Sequence, residues 1–219
     1  MKRILCYGDS NTWGHNPTGI DPVTGAIGRY SEGVRWTGVM QRELGEEYFV
    51  CEEGLCGRTT VFEDPTHYGW NGYMHFEVAL RTCDPVDCVI FMLGTNDTKE
   101  SFYVSPSAIT GGMERLLKNC QNLLRGSLSE KAKIILACPL KPVMAGDGTY
   151  WYDFNEESGR KIEAMRETYR ALAERSGVAY FDVNDFGVAD PADGIHFDAE
   201  SHRKVGLALT ELVKKVLAE

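Results

Sequence analysis

The chain has 219 residues, a formal charge of −9 at pH 7, 43% hydrophobic residues and 25% charged residues. This composition is typical of a soluble globular protein and excludes a disordered, collagen-like or coiled-coil chain. The acidic balance argues against general binding of nucleic acid or anionic lipid, because both need a basic surface. No apolar run reaches the roughly 20 residues of a membrane span. The length predicts a single domain over residues 1–219.

Short apolar runs alternate with segments of helical periodicity. Strands are predicted at residues 4–7, 48–51, 88–93, 134–138 and 178–181, and helices within 36–44, 74–81, 105–126, 162–177 and from 198 onward. Ser105 and Pro106 give the third helix a cap followed by a first-turn proline. The alternation predicts an α/β protein with a five-stranded parallel sheet between helices. Residues 14–34 and 139–157 are expected to be long loops, which are usually functional or interfacial.

The N-terminal residues 1–7 are interpreted as the first strand rather than a signal peptide. Their apolar run stops after four residues, and no small-residue cleavage site follows. We therefore expect the mature chain to start here and to stay in the cytoplasm. The seven cysteines form no CxxC pair, so they are interpreted as reduced core thiols rather than as a metal site or disulfides.

Polar and glycine-rich segments follow the predicted strands. They are Gly8-Asp9-Ser10-Asn11 after the first strand, Gly54 to Arg58 after the second, Gly94-Thr95-Asn96-Asp97 after the third, and Asp193-Gly194-Ile195-His196 after the last. Ligands of open α/β sheets bind at the carboxyl ends of the strands. We therefore expect these four segments to converge on one site.

The four segments hold the groups that acyl transfer requires. Ser10 is the candidate nucleophile, His196 the general base, and Asp193 the carboxylate that fixes the histidine tautomer. The three-residue spacing of Asp193 and His196 brings both side chains together if the segment forms a helical turn. Asn96 can donate its amide to an oxyanion, and Gly57 its N–H where a side chain would obstruct substrate. Each segment alone is also consistent with a turn or a helix cap, so only their combination favours catalysis.

Other histidines and motifs narrow the interpretation. His202 is expected to be an exposed residue of the last helix, whereas His15 lies just beyond Ser10 and is a candidate pocket residue. The sequence contains no GxSxG, GxGxxG, GxxxxGK[ST] or HExxH motif. The usual α/β-hydrolase elbow, dinucleotide or phosphate loops and the zinc-protease helix are therefore not indicated.

The four segments, taken together, resemble the four sequence blocks of the SGNH (GDSL-type) hydrolases. The resemblance spans residues 4–216 and implies a flavodoxin-like three-layer α/β/α sandwich. It also implies a Ser10, Asp193 and His196 triad, with an oxyanion hole made by the Ser10 and Gly57 N–H groups and the Asn96 amide. Position 11 is Asn where the family motif has Leu.

The activity implied by the resemblance is that of a serine esterase. Its expected substrates are short-chain acyl esters such as aryl and alkyl acetates, cleaved through an acyl-enzyme, with acyl transfer to alcohols as a further activity. The expected partner is therefore a small-molecule ester, with no cofactor, metal, nucleic acid or membrane. The resemblance also implies a homo-oligomer, of which an octamer is one form.

The expected substrate pocket is lined by Asp9, Asn11, Trp13, His15 and Ile195. Two alternatives stay open at this point. The chain could be a carbohydrate O-acetylesterase, because Trp13, Trp151 and Tyr152 offer faces for a sugar ring, although subunit packing explains such rings equally well. It could also be a non-catalytic small-molecule-binding protein on the same scaffold, since a fold does not dictate function.

Overall fold

The computed structural model describes residues 1–19, 21 and 23–218. The strands are β1 (Lys2–Gly8), β2 (His15–Asn16), β3 (Gly28–Arg29), β4 (Tyr48–Gly54), β5 (Cys88–Met92), β6 (Lys133–Cys138) and β7 (Ala179–Asp182). The helices are α1 (Ser10–Trp13), α2 (Trp36–Leu44), α3 (Gly72–Cys83), α4 (Pro106–Leu124), α5 (Glu156–Ser176) and α6 (Ala199–Ala218). Short 3₁₀ helices cover Asn96–Thr98, Glu100–Phe102 and Val183–Asp185. Within the described residues, no helix is both long and apolar enough to cross a bilayer.

Five strands form one parallel sheet in the order β4-β1-β5-β6-β7. Numbered by their appearance in this sheet, the order is that of the flavodoxin-like doubly wound fold. The predicted α/β class and five-stranded parallel sheet are therefore confirmed. The winding direction reverses between β1 and β5, and ligands of such sheets bind at the carboxyl ends beside this reversal.

The sheet is buried on both faces because alternate side chains of its strands enter two different cores. In β1, Leu5 and Tyr7 pack with α3, α4 and α5 on one side. Ile4 and Cys6 pack with α2 and α6 on the other. The result is the three-layer α/β/α sandwich, with the carboxyl ends of β1 and β5 left at its edge.

Helix boundaries follow the capping signals in the sequence. Helix α2 occupies the predicted residues, and Ser105 caps α4 by accepting a hydrogen bond from the Ala108 N–H at 3.2 Å. Helix α5 begins earlier than its apolar pattern indicates, because Asn155 and Ser158 form a capping box ahead of a polar first turn. Apolar periodicity reports only the buried part of a helix, so this first turn escaped detection.

The two long loops differ from each other. Residues 14–34 contain a small antiparallel ladder, in which β2 pairs with β3 through His15 with Arg29 and Asn16 with Gly28. The expectation of a wholly irregular segment is therefore corrected, since two residue pairs are too few to leave an alternating pattern. Positions 20 and 22 of this segment lie outside the described residues. Residues 139–155 contain neither strand nor helix and lead directly into α5.

The cysteines agree with their interpretation as core thiols. All seven are free, and six of them are buried. Cys56 is the partly exposed one and belongs to the segment after β4.

Candidate active site

Ser10 is placed by the sharp transition from β1 into α1. The strand ends at Gly8, and a Cβ at that position would lie 2.1 Å from Thr12 Oγ1, so the turn needs glycine. Asp9 caps the short helix, because its Oδ1 accepts a hydrogen bond from the Asn11 N–H at 3.0 Å. Ser10 is the first residue of α1 and lies at the reversal point of the sheet.

The segment between β7 and α6 brings His196 to Ser10. His196 Nε2 lies 2.9 Å from Ser10 Oγ, and His196 Nδ1 lies 2.6 Å from Asp193 Oδ2. All three side chains are buried. The structure therefore places the three predicted triad residues in the order that a serine hydrolase mechanism requires.

The Asp193–His196 segment is a non-helical turn, which differs from the helical turn expected. Asp193 Oδ1 accepts hydrogen bonds from the N–H groups of Ile195 at 2.8 Å and His196 at 3.0 Å, which closes the turn. Gly194 adopts a φ of +71°, and a Cβ there would lie 2.1 Å from the Val143 carbonyl oxygen. The aspartate side chain and the glycine, not helical spacing, thus bring Asp193 and His196 together.

The titratable groups that contact the His196 ring are an ionised carboxylate and a neutral imidazole. Burial raises the pKa of Asp193, but the hydrogen bonds and charge of His196 and the Ile195 N–H more than offset this, so the pKa lies below its ordinary value. Asp193 is therefore ionised at neutral pH and can stabilise an imidazolium. His15 stacks on His196 with ring centroids 3.8 Å apart and 19° between planes. Burial and the adjacent His196 lower the pKa of His15 to about 4, so this ring stays neutral and does not repel the imidazolium.

One group among the described residues has a spacing compatible with a metal ion. His15, Asp193 and His196 each offer a ligand atom within 4.8 Å of the others. The two imidazole rings are stacked, however, so their in-plane lone pairs run side by side instead of converging on one point. Asp193 and His196 also already bond to each other. The geometry therefore fits a proton relay better than a metal site.

The candidate oxyanion donors come from the segments after β4 and β5. Asn96 Nδ2 donates one of its two hydrogens to the Arg58 carbonyl oxygen at 3.1 Å. Among the described residues no acceptor takes the second hydrogen, so it is available to an oxyanion. Gly57 adopts a φ of +83°, and a Cβ there would lie 2.5 Å from the Trp70 ring. The structure therefore requires glycine at this position because a side chain would collide with Trp70, and not because substrate must approach here.

Two buried carboxyl groups, Asp97 and Asp9, are next to Asn96 and Ser10 in the sequence. Asp97 accepts from the Thr60 N–H at 3.0 Å and also from the Thr60 hydroxyl, which joins the segment after β5 to the one after β4. Burial raises the pKa of Asp97 to about 6 and that of Asp9 likewise to about 6. Both carboxyls therefore lose their protons only near neutral pH.

A cavity of about 310 Å³ opens on the triad, and we call it the Ser10 cavity. Ser10, Gly57 and Asn96 line it, as do the predicted pocket residues His15 and Ile195. Its remaining walls are formed by Ile27, Cys56, His67, Trp70, Thr95, Lys99, Trp151, Tyr152, Phe154 and His196.

Three predicted pocket residues do not line the Ser10 cavity. Asp9 and Asn11 are only 1% and 2% exposed and form hydrogen bonds inside the protein. They flank Ser10 in a helical turn, so their side chains point in other directions. Trp13 lies beneath Arg29, whose guanidinium is 5.0 Å from the ring centre. The expectation for Asp9, Asn11 and Trp13 is therefore corrected.

The expectation of an exposed His202 is wrong. This side chain is fully buried, and its Nδ1 accepts a hydrogen bond from the Trp36 N–H at 3.2 Å. Burial lowers its pKa to about 3. His202 shares the apolar face of α6 with Val205 and Leu209, and that spacing would have predicted its burial.

Sequence reasoning singled out Trp151 and Tyr152, which line the cavity, but missed the part of its wall formed by Lys99, His67 and Trp70. Lys99 is 3% exposed, and its ammonium lies 3.7 Å from Asp64 Oδ2 and 5.0 Å from the Trp70 ring centre. His67 also stacks on Trp70, with the two ring centroids 3.9 Å apart. The only sequence signal was the position of Lys99, three residues beyond Asn96.

Comparison with known proteins identifies the family of this site. The model of the GDSL-like lipase/acylhydrolase family matches residues 6–204. The structure of an aryl esterase from M. smegmatis is 37% identical over 98% of this chain and 99% of that chain, with a TM-score of 0.89. A carbohydrate acetylesterase from Sinorhizobium meliloti is 32% identical over 99% of this chain and 100% of that chain, with a TM-score of 0.88.

More distant structures share the fold alone. A lipase/acylhydrolase from Enterococcus faecalis is 16% identical over 99% of this chain and 97% of that chain, with a TM-score of 0.68. Among curated proteins, none matches this sequence significantly. The resemblance inferred from the four sequence blocks is nevertheless confirmed by the family match and the similar structures. This chain belongs to the GDSL-like lipase/acylhydrolase family and is a carboxylic ester hydrolase.

Proposed function

We propose that this chain is a serine esterase that cleaves short-chain acyl esters through an acyl-enzyme on Ser10. The observation that carries the proposal is the continuous chain of contacts from Ser10 Oγ to His196 Nε2 at 2.9 Å and from His196 Nδ1 to Asp193 Oδ2 at 2.6 Å. A serine hydroxyl becomes a competent nucleophile only when a base of this kind takes its proton.

The reaction proceeds in two halves. Ser10 Oγ bonds to the ester carbonyl carbon while its proton passes to His196 Nε2. The oxyanion accepts hydrogen bonds from the Ser10 and Gly57 N–H groups and the Asn96 amide. Collapse breaks the bond to the alcohol oxygen, which takes the proton from His196 and leaves the acyl group on Ser10. Water then attacks the acyl carbon as its proton passes to His196 Nε2. The bond to Ser10 Oγ breaks, that oxygen takes the proton back from His196, and the acid is released; an alcohol in place of water gives a new ester.

The dimensions of the Ser10 cavity support a small acyl group. Its volume of about 310 Å³ lies at the lower end of the range for ligand sites. The stacked ring of His15 closes the cavity beside His196. An acetyl group together with a small alcohol fits this space better than a long acyl chain does.

The aromatic and polar residues in the wall of the Ser10 cavity support sugar acetates as a second class of substrate. Trp70, Trp151 and Tyr152 present aromatic surface to the cavity, while His67 and Lys99 add polar groups. Aromatic faces and a few polar donors are the combination that an acetylated sugar ring needs. The Sinorhizobium meliloti protein described as a carbohydrate acetylesterase is a relative at 32% identity.

A chain-length series decides between these possibilities. We would compare p-nitrophenyl acetate, butyrate and octanoate with a peracetylated monosaccharide, using the wild type and Ser10→Ala, with and without added alcohol. Acetate turnover that disappears in Ser10→Ala supports the proposal, and Asp193→Asn should lower kcat by up to about 10⁴-fold. Preference for the sugar acetate would select the second class, and a new ester product would demonstrate acyl transfer. Turnover unchanged in Ser10→Ala would refute Ser10 as nucleophile.

A further inference from the structure

The distance between Ser10 and His196 depends on how two remote segments are joined. Ser10 lies in α1, and His196 lies in the turn before α6, 186 positions further along the chain. The contacts of Asp193 are made within that turn, to Ile195 and to His196 itself. They fix the imidazole relative to the turn, but they do not fix the turn relative to Ser10.

Asn11 supplies the missing connection. Its Nδ2 donates to the Ile195 carbonyl oxygen at 3.3 Å, and its Oδ1 accepts from the Phe197 N–H at 2.9 Å. One amide thus pairs with the backbone on both sides of His196, in the way that a neighbouring strand would. Among the hydrogen bonds of the described residues, these two and the Ser10–His196 bond are the ones that join α1 to the turn.

We propose that Asn11 is a positioning residue, whose amide holds the backbone of His196 at the distance from Ser10 that proton transfer needs. The inference rests on the proposed esterase function and adds to it a residue that does not touch the Ser10 cavity. Asn11 is 2% exposed, so its amide cannot exchange these partners for water. A leucine, which has similar volume, would leave the Ile195 carbonyl and the Phe197 N–H unpaired.

Gln41 offers a matched control elsewhere in the fold. Its Nε2 donates to the Tyr48 carbonyl oxygen at 3.0 Å and to that of Gly45 at 3.3 Å, and its Oε1 accepts from the Val50 N–H at 2.8 Å. It therefore brackets Phe49 with the same pair of bonds at the amino end of β4, whereas the triad lies at the carboxyl ends of the strands. Gln41→Leu removes the same chemistry without touching the triad.

The experiment compares Asn11→Leu, Asn11→Asp and Gln41→Leu with the wild type. A misplacement of about 1 Å should lower kcat of Asn11→Leu by about 10²-fold on p-nitrophenyl acetate, with KM within about threefold of the wild type. Asn11→Asp keeps the acceptor for Phe197 and should show an intermediate kcat. Gln41→Leu should lower the urea midpoint but leave kcat within about threefold.

A crystal structure of Asn11→Leu gives a readout that does not depend on turnover. We expect the distance from Ser10 Oγ to His196 Nε2 to exceed hydrogen-bonding range, against 2.9 Å in the wild type. An unchanged distance, or equal losses of kcat in Asn11→Leu and Gln41→Leu, would overturn the proposal. Absence of ester turnover in the wild type would refute the proposed function, while the distance would still decide the role of Asn11. Asn11→Asp serves the same measurement if Asn11→Leu does not fold.

Discussion

Gly194→Ala tests whether the backbone of the catalytic turn sets the position of His196. Gly194 has a φ of +71°, a conformation that costs a residue with a side chain roughly 1–2 kcal/mol. The new Cβ would also lie 2.1 Å from the Val143 carbonyl oxygen. That oxygen belongs to the backbone and cannot rotate away, so the turn itself must move.

The movement would weaken the bonds that hold the turn. The Val143 N–H donates to the Gly194 carbonyl at 2.8 Å, and the Gly194 N–H donates to the Asp190 carbonyl at 2.8 Å. Each bond contributes about 1 kcal/mol, so the variant should lose about 3 kcal/mol of unfolding free energy in total. Because His196 moves with the turn, a shift of about 1 Å should lower kcat by about 10²-fold.

Gly177→Ala is the matched control for this prediction. Its φ of +65° is similar, it lies at the end of α5, and no atom would lie within 4 Å of its Cβ. It should lose about 1 kcal/mol from backbone strain alone and keep its full kcat. Urea unfolding and p-nitrophenyl acetate turnover measure both quantities. Equal losses of stability and activity in the two variants would show that the contact with Val143 does not position the turn.

Three further predictions concern buried polar side chains. Asn96→Ala should lower kcat by about 10²–10³-fold with little change in KM, and an unchanged kcat would remove Asn96 from the oxyanion hole. Asp9→Asn keeps an oxygen to cap α1 but removes a carboxyl whose pKa burial raises to about 6. The wild type should therefore lose roughly 2–3 kcal/mol relative to this variant as the pH rises from about 4 to about 7, and parallel urea curves at both pH values would contradict this. Burial lowers the pKa of His202 to about 3, which has the opposite consequence. Below about pH 6.5 the unfolded chain binds the proton before the folded chain does, so the wild type should lose about 1.4 kcal/mol of unfolding free energy per pH unit relative to His202→Gln. Urea unfolding down to about pH 4 measures this loss.

The fold was predictable because its strands are short continuous apolar runs and its helices carry apolar side chains at helical spacing. Residues 88–92 form a continuous apolar run, and the structure buries every one of them in the centre of the sheet. Strand ends could then be located, and polar side chains at those ends indicated a site at the carboxyl edge. The residues facing Ser10 were within reach of sequence reasoning for this reason.

Other features of the site left no periodic signal. Trp70 and Lys99 come from irregular segments and meet in the cavity wall through an ammonium–ring contact of 5.0 Å. The amide of Asn11 reaches backbone groups 184 and 186 positions away. Contacts between single side chains and distant backbone depend on the exact path of the chain, and no local pattern encodes them. The prediction that Asn11 lines the pocket was wrong for this reason.

The construction of the site separates stability from activity. Apolar side chains hold the sheet and helices together in two cores, and the four polar segments lie at the carboxyl edge of the sheet. These segments are joined pairwise by single buried polar side chains: Asn11 joins α1 to the turn of His196, Asp97 joins the β5 loop to Thr60, and Asn96 reaches Arg58. Each hydrogen bond of such a link contributes about 1 kcal/mol to folding, and the link as a whole fixes a distance on which rate depends steeply. Substitutions at these links should therefore reduce kcat as well as stability, whereas substitutions in the two apolar cores should reduce stability and leave the kcat of the folded enzyme nearly unchanged.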